Sequence, residues 1–151
     1  MPTLTASRTT KPMMYLVDTN VISEIRKKDK ANPGVKQFFK QAAEQNYTLF
    51  LSVVTVGELQ RGVQLIKQRG DHKQAALLET WLTTLLSEYA ERILDFTVTE
   101  ARIWAALRVP QPENAIDKQI AATAHTHDLI LVTRNTRDFD RTGVTVLNPF
   151  V

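Results

Sequence analysis

A chain of 151 residues, 43% hydrophobic and 23% charged, is long enough for one globular domain with its own core and too apolar to be disordered. The absence of cysteine excludes disulfides and thiolate metal sites and permits a cytoplasmic location, and no apolar run approaches the roughly 20 residues of a membrane span. Of the formal net charge of +3, Arg8 and Lys11 supply two, both in the Thr/Ser-rich residues 1–12; the remaining +1 does not by itself single out a polyanion as partner.

Residues 1–12 read as a flexible extension, with the fold beginning at Met13 or Met14 and running to residue 151 as a single domain. The run Met14-Tyr15-Leu16-Val17 leads straight into Asp18, and a short apolar run of this kind reads as a buried parallel strand. In an open α/β sheet the carboxyl ends of the strands line the crevice where ligands bind, which places Asp18 at its mouth. The competing reading is that Asp18 merely caps the next helix, expected from Thr19 or Asn20 to about Lys28, for which Thr19 and Asn20 are also candidate caps.

A break at 27–34, rich in Lys and ending in Pro33-Gly34, precedes a second helix over about Val35–Gln45 with Val35, Phe38, Phe39 and Ala42 on one face. Thr48–Ser52 is the second strand. A long helix follows over Ser52–Arg69, with Ser52 or Thr55 as candidate cap and Val56, Leu59, Val63 and Ile66 at helical spacing. Glu58 lies beside that stripe in the early turns, either as a functional acid or as part of a solvated face. Gly62 inside the helix suggests close packing against a neighbour, because an interior glycine costs about 1 kcal/mol relative to alanine.

Gly70-Asp71 turns into a helix over about His72–Tyr89 whose apolar face, from Leu77 to Tyr89, is broad enough for part of it to serve a dimer or partner surface. Arg92–Phe96 reads as the third strand, and Thr99 as the cap of a helix to about Leu107. Pro110 and Pro112 make 109–114 a loop. The next helix, from Ala115, carries Asp117 in its first turn, where the macrodipole favours a carboxylate whether or not it has a chemical role. Ala121, Ala122 and Ala124 allow this helix to approach the sheet, and His125 and His127, two apart, make a poor metal pair. The fourth strand ends at Thr133 and is followed by Arg134 to Phe139, with Asp138 just past it; a final strand spans Val144–Leu147. The alternation argues for a three-layer α/β/α sandwich with a mostly parallel central sheet.

Asp18, Glu58, Asp117 and Asp138 would thus all face one crevice. Four carboxylates there repel each other, by roughly 3 kcal/mol per pair at about 5 Å and an effective dielectric of about 20, so such a cluster calls for a cation. Oxygen-only ligands favour Mg²⁺ or Mn²⁺ over zinc. Such an ion suits phosphoryl chemistry. A Gly-rich phosphate loop and a Gly-x-Ser-x-Gly elbow are both missing.

The segments Asp18–Ser23, Glu58–Gly62, Asp117 with Ile120–Ala124, and Leu131–Phe139 resemble, in order and spacing, the signatures of PIN domains, and in particular of VapC-like ribonuclease toxins. The resemblance covers Met14 to about Phe150. It implies a PIN-like fold and a Mg²⁺-dependent endoribonuclease, usually a homodimer, that acts on RNA and is blocked by a cognate antitoxin. It also implies Asp18, Glu58, Asp117 and Asp138 as catalytic and metal-ligating residues, with Asn20, Thr133 and Asn135 as polar supports. Arg134 and Arg137 are candidate contacts to RNA phosphates. Other readings are a PIN nuclease in RNA processing without an antitoxin and a catalytically silent binding module. A phospho-receiver domain is disfavoured, because Ser52 and Asn148 stand where it needs an aspartate and a lysine.

Overall fold

The computed structural model describes residues 13–151, so the expectation of a flexible extension over residues 1–12 lies outside the described residues. Five parallel strands form the sheet: β1 (Met14–Val17), β2 (Thr48–Ser52), β3 (Ile93–Leu94), β4 (Ile130–Val132) and β5 (Val146–Leu147), in the order β3-β2-β1-β4-β5. Six helices accompany it: α1 (Thr19–Ile25), α2 (Pro33–Glu44), α3 (Val53–Gln68), α4 (His72–Glu88), α5 (Val98–Leu107) and α6 (Ala115–His127).

Two apolar cores lie on opposite faces of the sheet because side chains alternate along each strand. Tyr15, Val17, Leu49, Leu51 and Val132 point to one face, where they meet Val21, Val35, Phe38, Leu59, Val63 and Leu82 of α1 to α4. Leu16 and Leu131 point to the other, against Ile120, Ala121 and Ala124 of α6. The three layers expected from the alternation are therefore present, and the small residues of α6 do sit against the sheet, at 0–1% exposure. Among the described residues no helix is long and apolar enough to cross a membrane.

Several local expectations are corrected. The first helix ends at Ile25, and Lys28–Lys30 form a separate 3₁₀ turn. The second begins at Pro33, where a missing N–H costs nothing, with Asn32 as cap. The third strand shrinks to Ile93–Leu94 because Arg92 ends a 3₁₀ turn and sends its guanidinium to the Leu49 and Glu88 carbonyls. Thr97, not Thr99, caps α5: Glu100 Oε1 accepts from the Thr97 N–H at 2.6 Å, completing a capping box. The final strand is only Val146–Leu147. Gly62 is not closely packed, since a Cβ there would meet nothing within 4 Å.

Candidate active site at the carboxyl end of the sheet

Parallel strands deliver their following residues to one edge of the sheet, and β1 and β4 are neighbours, so Asp18 and Thr133 emerge side by side. Asp18 itself is the cap of α1, not Thr19 or Asn20: its Oδ1 accepts from the Thr19 N–H at 2.8 Å. The capping role and the placement at the crevice are one arrangement. Its Oδ2 accepts from Thr133 Oγ1 at 2.7 Å and from Asn20 Nδ2 at 3.4 Å, and the whole residue is only 2% exposed.

The three expected polar supports take different parts. Thr133 is fully buried and receives the Asn135 N–H at 3.0 Å on the same oxygen that serves Asp18. Asn20 bridges onward, its Oδ1 accepting the Arg134 N–H at 3.0 Å. Asn135 contributes its backbone N–H. Thr55, named from sequence only as a candidate cap, is buried and accepts from Thr19 Oγ1 at 3.3 Å, linking α1 to α3, while Ser52 takes the capping role. Nothing in the local pattern of α3 separates such a bridging hydroxyl from an ordinary cap.

Electrostatics tie the four acids together. Burial pushes Asp18 above the usual carboxylate range; its hydrogen bonds to Thr133, Thr19 and Asn20 offset part of that, and the charge of Asp138 adds to it. The Asp117 carboxyl, half-buried in the first turn of α6, is pushed from 3.8 up to about 7. Burial is the largest cause; the charges of Asp18 and Asp138, a hydrogen bond with the Asp138 side chain and the charge of Glu58 follow. Asp138 is carried on the 3₁₀ turn Thr136–Phe139 just past β4, and Glu58 on the second turn of α3.

Asp117 thus feels the charge of acids from three other segments, and carboxylate oxygen is the donor set that suits a hard divalent cation. Among the described residues, however, no three acidic or imidazole groups are already arranged to hold one ion. Glu58 also lines an apolar groove of about 180 Å³ with Arg26, Val63, Ile66, Leu78 and Trp81.

Arg134 and Arg137 are exposed beside this cluster. The Arg134 guanidinium lies over the Phe150 ring, 4.8 Å from its centroid. Glu100, which the sequence reading passed over, is a second buried acid, 2% exposed. Burial raises its pKa, but bonds from Thr97 and Thr126 outweigh this and hold it below the usual glutamate range. It serves the capping box, and with Thr99 as the cap the sequence gives no reason for it to be buried.

Known proteins resemble this chain along most of its described length. The PIN domain family model matches residues 15–144. Toxin FitB of Neisseria gonorrhoeae is 35% identical over 142 residues, covering 91% of this chain and 99% of that protein. VapC ribonuclease Y4jK of Sinorhizobium fredii is 32% identical over 143 residues, covering 91% and 98%. The crystal structure of FitAcB from Neisseria gonorrhoeae superposes with a TM-score of 0.77 at 35% identity, covering 91% of this chain and 98% of that one. With its four acids on the expected segments of a five-stranded parallel sheet, and with similarity along nearly its whole described length, this chain belongs to the PIN domain family.

Proposed function

We propose that this chain is a divalent-metal-dependent endoribonuclease, with Mg²⁺ as the ion and Mn²⁺ as a substitute, and that it is the toxin of a toxin–antitoxin pair. The observation that carries the reading is the gathering of acids around Asp117, whose carboxyl is raised to about 7 first by burial and then by Asp18, Asp138 and Glu58. Carboxylates held together against their own repulsion mark a candidate functional site, and here a cation would relieve that repulsion. Similarity to a protein named as a VapC ribonuclease and to one named as a toxin supports RNA as the substrate class. Residues 13–151 act together as the one nuclease domain.

Asp18, Asp117, Glu58 and Asp138 would hold the ion. When bound, such an ion polarises a phosphoryl oxygen and makes water a better nucleophile. Asp18 is the fixed point of the site: Thr133 and the Thr19 N–H hold its two oxygens in one orientation. Asp117 is the adjustable one, losing its proton close to neutral pH so that the site gains charge as it takes up the ion. Asp138 and Glu58 complete the acidic set, both acting on Asp117. Arg134 and Arg137, on the rim, supply positive charge to the RNA backbone, whose recognition depends on phosphate contacts as well as on base stacking.

A chain that cuts cellular RNA has to be kept silent until it is needed, which supports a cognate antitoxin as protein partner and a cytoplasmic location beside its substrate. A homodimer fits the part of the α4 face left exposed, with Leu77 at 60% exposure. The test is RNA cleavage by the purified protein with Mg²⁺, with Mn²⁺ and with EDTA, alongside Asp18→Asn and Asp117→Asn. Cleavage that needs the metal and disappears in both variants is the expected result. Cleavage indifferent to EDTA, or untouched by either substitution, would sink the assignment.

A further inference from the structure

Arg134 and Phe150 come together through a set of contacts that the acidic cluster does not require. The guanidinium lies over the Phe150 ring at 4.8 Å, and that ring is partly buried against the core beneath α1 and α2. The segment carrying Phe150 is clamped on both sides. Asn32 Oδ1 accepts the Val151 N–H at 3.1 Å and Asn32 Nδ2 donates to the Val151 carbonyl at 2.9 Å. Gly34 stands so close to the Pro149 carbonyl that a Cβ would fall 2.0 Å from its oxygen. At its other end Arg134 is tied in by its backbone, whose N–H reaches Asn20 Oδ1, and Asn20 Nδ2 in turn reaches Asp18.

Stacking occupies the face of a guanidinium and leaves its N–H edge available. Among the described residues that edge has no side-chain or carbonyl acceptor within hydrogen-bond distance: the Glu24 carboxylate feels the Arg134 charge but accepts from Lys27 Nζ and the Asn32 N–H instead. A cation held by its face, with its donors unspent and its backbone bonded to the site's asparagine, is set up to meet an anion.

We propose that Phe150 is a positioning residue that fixes Arg134 by its face so that its N–H edge meets a backbone phosphate of bound RNA. The inference rests on the ribonuclease reading for the identity of the anion. The segment 148–151, which carries none of the four acids, thereby sets where the substrate strand lies. Fixing the side chain in advance removes rotamer entropy that binding would otherwise lose.

The test has two arms. In the metal-free, RNA-free protein, the Arg134 Nε–H resonance is read by NMR; protons over a ring face are shielded. Phe150→Leu, which keeps an apolar contact and loses the ring, is expected to abolish that shielding, and Phe150→Tyr to keep it. Gly34→Ala, which forces the Pro149 carbonyl away, is expected to mimic Phe150→Leu.

In the second arm a short mixed-sequence single-stranded RNA is titrated into protein carrying Asp117→Asn. Phe150→Leu is expected to weaken binding by about 2- to 5-fold, the scale of one exposed cation–π contact. Arg134→Ala is expected to weaken it at least as much, the pair no more than Arg134→Ala alone, and Phe150→Tyr to bind as well as the parent. An unshifted Arg134 resonance in Phe150→Leu overturns the stacking. Loss of shielding with unchanged RNA affinity, or a Phe150→Leu effect that persists without Arg134, overturns the positioning role and leaves the nuclease reading standing. Failure of that reading is seen separately, as absence of metal-dependent cleavage by the unsubstituted chain.

Discussion

Thr133 Oγ1 donates to Asp18 Oδ2 at 2.7 Å, joining two residues 115 positions apart in sequence inside a site where both are almost wholly buried. The bond exists because β1 and β4 are parallel neighbours and end at the same level, Val17 opposite Val132. A sheet register has thus become the orientation of one carboxylate.

Removing that hydroxyl therefore separates orientation from the acid itself. Thr133→Val leaves Asp18 Oδ2 and the Asn135 N–H without their shared partner, with an expected cost of about 1–3 kcal/mol in urea unfolding. Cleavage is expected to fall by about 10- to 100-fold, the usual effect of losing a group that orients a metal-site carboxylate. Thr133→Ser should retain most of both. Equal activity in the valine and serine variants would show that the hydroxyl has no orienting role.

The raised Asp117 makes a signed prediction about pH. Its carboxyl stands at about 7 in the fold against an ordinary 3.8, so the native state holds the proton more tightly than the unfolded chain does. Its contribution to stability is then complete below its unfolded pKa and is lost as pH rises through about 7. Thermal midpoints of the metal-free protein, compared with those of Asp117→Asn, should show a decline over that window confined to the parent. Added Mg²⁺ should restore the midpoint most at the upper end, where it no longer competes with the proton. A parent and variant that run parallel across the window would contradict the shift.

Asp117→Asn should also raise stability at neutral pH while abolishing cleavage, because it removes a carboxylate penalised first by burial and then by repulsion from three acids. Asp117 is only half-buried and solvent screens part of that repulsion, so the expected gain is about 1 kcal/mol, or roughly 2–4 °C in thermal midpoint. A catalytic site that destabilises its own fold is a familiar compromise. The measurement is a pair of metal-free melting curves, and a lower midpoint in the variant would count against it.

Glu100 supplies the contrasting acid. Buried but spent on the capping box of α5, it should be needed for folding and not for chemistry. Glu100→Ala should cost about 1–2 kcal/mol in unfolding experiments, as loss of a cap does, with the Mg²⁺-induced rise in midpoint unchanged. A variant that folds normally but no longer responds to Mg²⁺ would move Glu100 into the metal site.

Much of this was legible because strong periodic signals and strand ends coincide. The run into Asp18 and the run into Thr133 each marked a buried strand and the polar residues beyond it, and parallel pairing then brought them together. What escaped depended on distances that no local pattern encodes. Thr97 and Thr99 are equally good caps on paper, and only the reach of Glu100 back to Thr97 decides between them. The sequence leaves Asp18 open as either cap or site acid; in the fold Oδ1 caps α1 while Oδ2 is held by Thr133 at the crevice. An interior glycine such as Gly62 suggests close packing, but its place on α3 lines an open groove. Arg134 was marked for its charge; the Phe150 ring beneath it is sixteen positions away and could not be paired with it without the fold.

The two outermost strands have a consequence for assembly. Ile93–Leu94 and Val146–Leu147 offer two residues each at the borders of the sheet. So little open backbone gives a foreign strand almost no ladder to extend, and stray edge-to-edge aggregation is suppressed at both sides. Whatever proteins this chain joins have to be met by helix faces and loop side chains, where specificity can be written residue by residue.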